Sequence, residues 1–186
     1  NAADQGHAVT FFDGWGGALA YAFQLYFDFS GYSDMAIGIS RMFGIRLPLN
    51  FNSPYKSRSI IEFWRCWHIT LSQFLRDYLY IPMGGNRLGR MRTYINVLVT
   101  MLLGGLWHGA NWNVVIWGGL HGVFLVVNQC WRVLLRRSGM GLQEGGVLAN
   151  AGGVLLTFLC TVLAWVFFRA QTYPGALEIL QGMSGM

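Results

Sequence analysis

At 186 residues the chain is the size of one domain, but its composition is not that of a water-soluble one. Apolar residues make up 54% of it, aromatic residues 16% and charged residues 11%, where soluble domains carry about 25% charged residues. The formal net charge of +5 comes from basic residues gathered in two clusters, which reports membrane topology and argues against a nucleic-acid binder.

Cys66, Cys130 and Cys160 lack CxxC spacing. They read as small buried apolar residues and not as a disulfide framework or zinc ribbon. The chain opens Asn1-Ala2-Ala3-Asp4, with no initiator Met and no signal-peptide pattern. Residues 1–186 are therefore expected to be a fragment, part of a single all-α, polytopic membrane domain. His7, in a polar N-terminal stretch, is expected to have no role.

A first candidate span runs from about Gly14 to Ser40 and contains Asp28 and Asp34. Carboxylates in a membrane segment must pair, neutralise or face water. Ser30, Tyr32 and Ser33 offer hydrogen bonds, so the segment reads either as a broken or kinked helix with satisfied carboxylates or as the wall of a polar channel.

Arg41 to Arg92 holds nine of the thirteen basic residues and only Glu62 and Asp77 as acids, which assigns it to the cytoplasmic side. Pro48, Asn50, Asn52, Ser53 and Pro54 mark a loop. The capping-box pattern Ser59-Ile60-Ile61-Glu62 then predicts an interfacial helix ending before Pro82-Met83-Gly84-Gly85. One face of that helix would carry Ile60, Phe63, Trp64, Trp67, Leu71, Phe74, Leu75 and Tyr78, with His68 at its margin.

From Thr93 to Trp131 there is no Asp, Glu, Lys or Arg. The stretch is too long for one crossing of about 20 residues, and the polar run His108 to Asn113 interrupts it. A re-entrant or broken hairpin is expected, its first arm about 22 Å long and its turn within the membrane. His108, at that turn among Leu106, Trp107 and Trp112, is a functional-site candidate because an ionisable group in the membrane is costly. Three roles are open to it: general base, metal or haem ligand, and structural hydrogen-bond donor. The set His68, His108, His121 and Cys66 has no metal-ligand spacing, so no metal site is expected. His121 is expected to pack.

A last span is expected from about Val147 to Phe168, with Arg169 snorkelling to the far interface. Glycines at 104, 105, 109, 118, 119, 122, 152 and 153 suit close helix packing.

The runs Phe63-Trp64-Arg65-Cys66-Trp67-His68-Ile69-Thr70-Leu71-Ser72, Phe74-Leu75-Arg76-Asp77-Tyr78-Leu79-Tyr80-Ile81-Pro82-Met83-Gly84-Gly85-Asn86-Arg87 and Gly104-Gly105-Leu106-Trp107-His108-Gly109-Ala110-Asn111-Trp112 closely resemble the membrane-bound O-acyltransferases, most of all the bacterial alginate O-acetyltransferase branch. The resemblance runs from about Tyr26 to Arg169. It implies a multi-helix enzyme of the bacterial inner membrane with a tunnel through the bilayer, in which His108 is catalytic and His68 shapes or polarises the reaction chamber. Arg76 and Asp77 match the family's Arg-Asp pair, with a donor-site or a structural role. Cys66 departs from the pattern, standing where relatives commonly carry arginine.

The implied reaction moves an acyl group, acetyl above all, from a cytoplasmic thioester donor toward hydroxyls of an exported polysaccharide such as alginate. Transfer would be direct or through a periplasmic acyl-relay protein. The donor, acetyl-CoA by expectation, is a substrate, and no bound cofactor is expected. His108 would take the proton of the attacking hydroxyl, with Asn111 as an oxyanion donor. A membrane transporter or export channel is the main alternative, and a histidine-ligated membrane metalloprotein is another.

Overall fold

The computed structural model describes residues 9–138 and 146–185, so His7 lies outside the described residues. These residues form α-helices α1 (Phe11–Met42), α2 (Ile60–Cys66), α3 (Ile69–Leu75), α4 (Arg90–His108), α5 (Trp112–Arg137), α6 (Val147–Arg169) and α7 (Tyr173–Ser184), with no strand among them. A short 3₁₀ turn (Pro54–Lys56) precedes α2, and a π-helical turn (Arg76–Tyr80) follows α3. α5 and α6 are each long and apolar enough to cross a membrane.

α1 starts at a capping box in which Thr10 Oγ1 accepts from Asp13 N–H while the Asp13 carboxylate accepts from Thr10 N–H. It then runs 32 residues without a break, about 48 Å, longer than a bilayer core. The expected break at Asp28 and Asp34 is absent. Both residues are exposed on the surface of this continuous helix.

The predicted helix from Ser59 onward is corrected more substantially. Ser59 does cap α2, its hydroxyl accepting from Glu62 N–H, but the Glu62 carboxylate takes the N–H of Arg58 at 2.8 Å and not that of Ser59. The helix then stops at Cys66. His68 adopts φ +42°, ψ +56°, and α3 restarts beyond it. This left-handed residue and the π turn each rotate the faces out of the single wheel expected from the sequence. Ile60, Phe63, Trp67, Leu71 and Leu75 are buried as expected, whereas Phe74 and Tyr78 are 53% and 69% exposed.

α4 and α5 form the expected hairpin, and glycine sets how closely they approach. A Cβ on Gly105 would lie 2.4 Å from the Val114 carbonyl oxygen, and one on Gly118 would lie 2.3 Å from that of Met101. Backbone therefore meets backbone at this crossing. α4 is 19 residues long, about 28 Å, and Asn113 Nδ2 just beyond the turn donates to the Ala170 carbonyl at 2.9 Å, one residue past the end of α6. The hairpin and α6 thus end at the same level.

α6 matches the predicted span and buries Thr157, Thr161, Val162 and Ala164 to Phe167. Beyond it, α7 was not anticipated. Thr172 caps it, Pro174 occupies its first turn and Gly185 ends it at φ +78°. It packs on α1, where Trp15 Nε1 donates to the Met183 carbonyl at 2.9 Å. The core is aromatic: Phe63, Trp67, Trp117 and Trp165 interlock around Ala22, Val162 and Ala164.

Candidate active site

The structure brings His68 and His108 into one neighbourhood by different routes. His68 is held by the loop before α2. Asn50 Oδ1 accepts from Thr70 N–H at 3.2 Å and from Thr70 Oγ1 at 2.9 Å, and it lies 3.1 Å from His68 Nδ1. The backbone N–H of Thr70 can only donate, which fixes this Asn50 atom as the oxygen. His68 Nδ1 must then carry the proton and donate, leaving Nε2 with its lone pair free to accept. The Asn50 carbonyl also accepts from Ile69 N–H at 2.9 Å, so the loop straps the helix break on both sides. Phe29 meets the imidazole edge-on at 4.8 Å between ring centroids.

Burial pushes the His68 pKa down to about 4, and nearby His108 adds to the effect. The ring is neutral at physiological pH. A non-glycine residue with φ above zero is uncommon and collects at functional sites. Here three hydrogen bonds to one amide oxygen hold it in place.

His108 ends α4 and is half-buried. The expected surroundings are corrected in part: Leu106, Trp107 and Trp112 are 51%, 65% and 77% exposed. The imidazole instead lies against Trp117 and Phe168, with ring centroids at 5.1 and 5.4 Å, and Trp107 touches it from one side at 5.0 Å. All three rings meet it edge to face, so aromatic surfaces fix its plane. No hydrogen bond among the described residues occupies its nitrogens. Aromatic contacts continue from Trp117 to Trp165 at 5.5 Å and on to Trp67 at 5.0 Å, joining the surroundings of the two histidines.

His121, expected to pack, is fully buried between Phe63 and Trp64, one contact beyond Trp117. Neither ring nitrogen has a hydrogen-bond partner among the described residues. No group of three or more His, Cys, Asp or Glu side chains able to hold a metal ion occurs among those residues. Asn111 caps α5, its Oδ1 accepting from Asn113 N–H at 3.0 Å and its Nδ2 donating to the Gln171 carbonyl at 3.3 Å. One amide hydrogen remains for any other use.

Arg76 and Asp77 form a bidentate pair on the π turn, Nε to Oδ1 at 2.7 Å and Nη2 to Oδ2 at 3.2 Å. The pair is exposed, and the guanidinium holds the Asp77 pKa below its ordinary value. Arg76 and Arg65 border a cavity of about 430 Å³ between α3, α4 and α5, also lined by Trp64, Ser72, Thr100 and Gln129. Asp77 and the two histidines do not line it.

Residues 5–169 match the membrane-bound O-acyltransferase family. The chain belongs to that family. Among its curated relatives, a peptidoglycan O-acetyltransferase of Helicobacter pylori is 50% identical over 98% of this chain and 34% of its own length. A probable alginate O-acetylase AlgI of Pseudomonas aeruginosa is 51% identical over 92% of the chain and 31% of its own length. A teichoic acid D-alanyltransferase of Streptococcus thermophilus is 33% identical over 80% of the chain and 39% of its own length. The chain thus spans about a third of the relatives it matches.

Sequence reasoning missed Asn50 and Trp117 in this O-acyltransferase segment. Asn50 looked like loop punctuation, since its reach to His68 and Thr70 depends on how the loop folds back. Trp117 gave a partial signal, lying nine residues after His108 and four before His121 on an otherwise apolar arm.

Proposed function

We propose that the protein containing this chain is a membrane O-acyltransferase that moves an acyl group, acetyl by preference, from a thioester donor to hydroxyls of an exported polysaccharide or of a partner protein that relays the acyl group. The observation that carries this reading is the arrangement of His108. Its imidazole makes no hydrogen bond among the described residues, is held by aromatic edges and lies at the end of the hairpin away from the arginines.

By the positive-inside rule the arginine end faces the cytoplasm of a bacterial inner membrane, so a thioester would arrive through the cavity beside Arg65 and Arg76. The acceptor would reach His108 from the opposite side. His108 takes the proton of the acceptor hydroxyl as its oxygen bonds to the thioester carbonyl carbon. The tetrahedral intermediate then expels the thiolate, which recovers that proton from the imidazolium. His68, neutral and with Nε2 free to accept, orients donor or acceptor without taking up the proton. Asn111 retains one amide hydrogen that can meet the oxyanion.

The test is acetyl transfer per folded molecule in full-length protein reconstituted in proteoliposomes. His108→Ala, His108→Asn and His108→Gln should each fall by at least ~100-fold, the lower range of general-base contributions, with protein levels near wild type. Substantial turnover in His108→Ala would overturn the assignment. Absence of thioester consumption by the wild type would favour a transporter.

A further inference from the structure

A second cavity, of about 380 Å³, lies at the opposite end of the hairpin from His108, and Arg90 of α4 and Arg132 and Arg136 of α5 all line it. No carboxylate among the described residues lines it. Glu62 and Asp77 are engaged elsewhere, Glu62 with Arg58 and Asp77 with Arg76. Three like charges around one small volume repel one another unless an anion sits among them. Guanidinium is also the side chain whose planar fork matches phosphate oxygens.

The depth of the cavity narrows the ligand. Trp131, 58% exposed and next in sequence to Arg132, is the type of residue that marks a membrane-water boundary. On the bilayer side of the arginines, Ile95 and Val127 face outward, 44% and 60% exposed. The arginines thus stand at the edge of an apolar band, the level at which lipid phosphates lie, and basic pockets between membrane helices at this level take anionic headgroups. The cavity also shares Ile61 and Gln129 with the one beside Arg65 and Arg76, so a soluble phosphate ester bound there would present the same chemistry to the same arginines.

We propose that Arg90, Arg132 and Arg136 form a phosphate-binding site at the membrane boundary, filled by a phosphate ester: either the headgroup of an anionic phospholipid or a soluble phosphate ester. The site does not depend on the acyl-transfer reading, because it is tested by binding alone.

Full-length protein, delipidated in neutral detergent, is titrated with phosphatidylglycerol, with zwitterionic phosphatidylcholine and with adenosine 3′,5′-bisphosphate, and bound species are counted by native mass spectrometry. Three charge-assisted contacts predict that the triple variant R90Q/R132Q/R136Q binds the favoured probe at least ~10-fold more weakly than wild type. R41Q/R46Q, which removes basic charge outside the cavity, should bind as wild type does. Preference for phosphatidylglycerol identifies the lipid source, and preference for the bisphosphate the soluble one. Equal loss in both multiple variants, or no loss in either, overturns the proposal. If the triple variant does not fold, Arg132→Lys keeps the charge and removes the fork. It should still weaken the favoured probe several-fold, and unchanged binding there counts against the site.

Discussion

Replacing Asn50 with alanine isolates the strap that holds His68. The substitution removes the acceptor shared by His68 Nδ1, Thr70 N–H and Thr70 Oγ1, and it removes the 3.4 Å donation from Nδ2 to Ser33 of α1. At about 0.5–1.5 kcal/mol for each of the three shorter bonds, the loss sums to about 3 kcal/mol. Water reaching the half-buried site and relief of the left-handed backbone at His68, worth about 1 kcal/mol, reduce it to about 2 kcal/mol. Thermal unfolding of the full-length protein in detergent reads that loss, and acetyl transfer should fall with it as His68 loses its fixed tautomer. Asn50→Asp separates the two effects. Its carboxylate still accepts the bonds, so most stability returns, but the new charge raises the His68 pKa from about 4. Protonation of His68 then reaches into the working range, and the acid limb of the activity profile moves to higher pH. If Asn50→Ala unfolds and turns over like wild type, the strap has no energetic weight and the tautomer argument fails.

His68→Gln should leave the protein folded and activity reduced but measurable, because Gln keeps one hydrogen bond and cannot act as a base; an unchanged rate in the transfer assay returns His68 to packing. Gly105→Ala and Gly118→Ala each push a methyl group into backbone 2.4 or 2.3 Å away, so both should cost at least the ~1–3 kcal/mol of overpacking and lower folded yield. Gly152→Ala, with nothing within 4 Å, should be neutral or stabilising by fluorescence-detected size exclusion, and equal behaviour of all three would refute the close crossing. Cysteine substitutions at Gly89, Ser138 and Thr172 in a cysteine-free background should react with an impermeant thiol reagent applied from outside only at Thr172. Labelling at Gly89 or Ser138 would reverse the assignment of the arginine end.

The hairpin and the final span were legible because charge is absent for long stretches, and in a membrane protein that pattern alone marks helices. The break at His68 was not. Trp64, Trp67, Leu71 and Leu75 follow helical spacing closely enough to suggest one continuous helix, and the force that interrupts it comes from Asn50, eighteen residues away. That the hairpin turn lies level with the end of α6 was not legible either, because residue counting cannot register Asn113 bonding to Ala170. α7 was not legible as a span because it is only 12 residues long, although Thr172, Pro174 and Gly185 are ordinary helix boundary residues. His68 and His108 were singled out from their setting and their motifs. What the sequence withheld was that His108 rests on Trp117 and Phe168 from other parts of the fold, and that Asn111 is engaged in a cap.

The contact at Gly105 and Gly118 has a bearing on how this scaffold can be re-tuned. Because α4 and α5 touch through main-chain atoms, their spacing contains no rotamers to adjust, and the hairpin acts as a ruler that fixes how far His108 stands from the arginines. A longer or bulkier acyl group cannot be accommodated by stretching it. On the proposed donor path, room would be made in the facing wall, by trimming side chains such as Trp64, Ile69 or Thr100 around the cavity. On that proposal, engineering of acyl size belongs on α2, α3 and the lining face of α4, and the glycine crossing is the place to leave untouched.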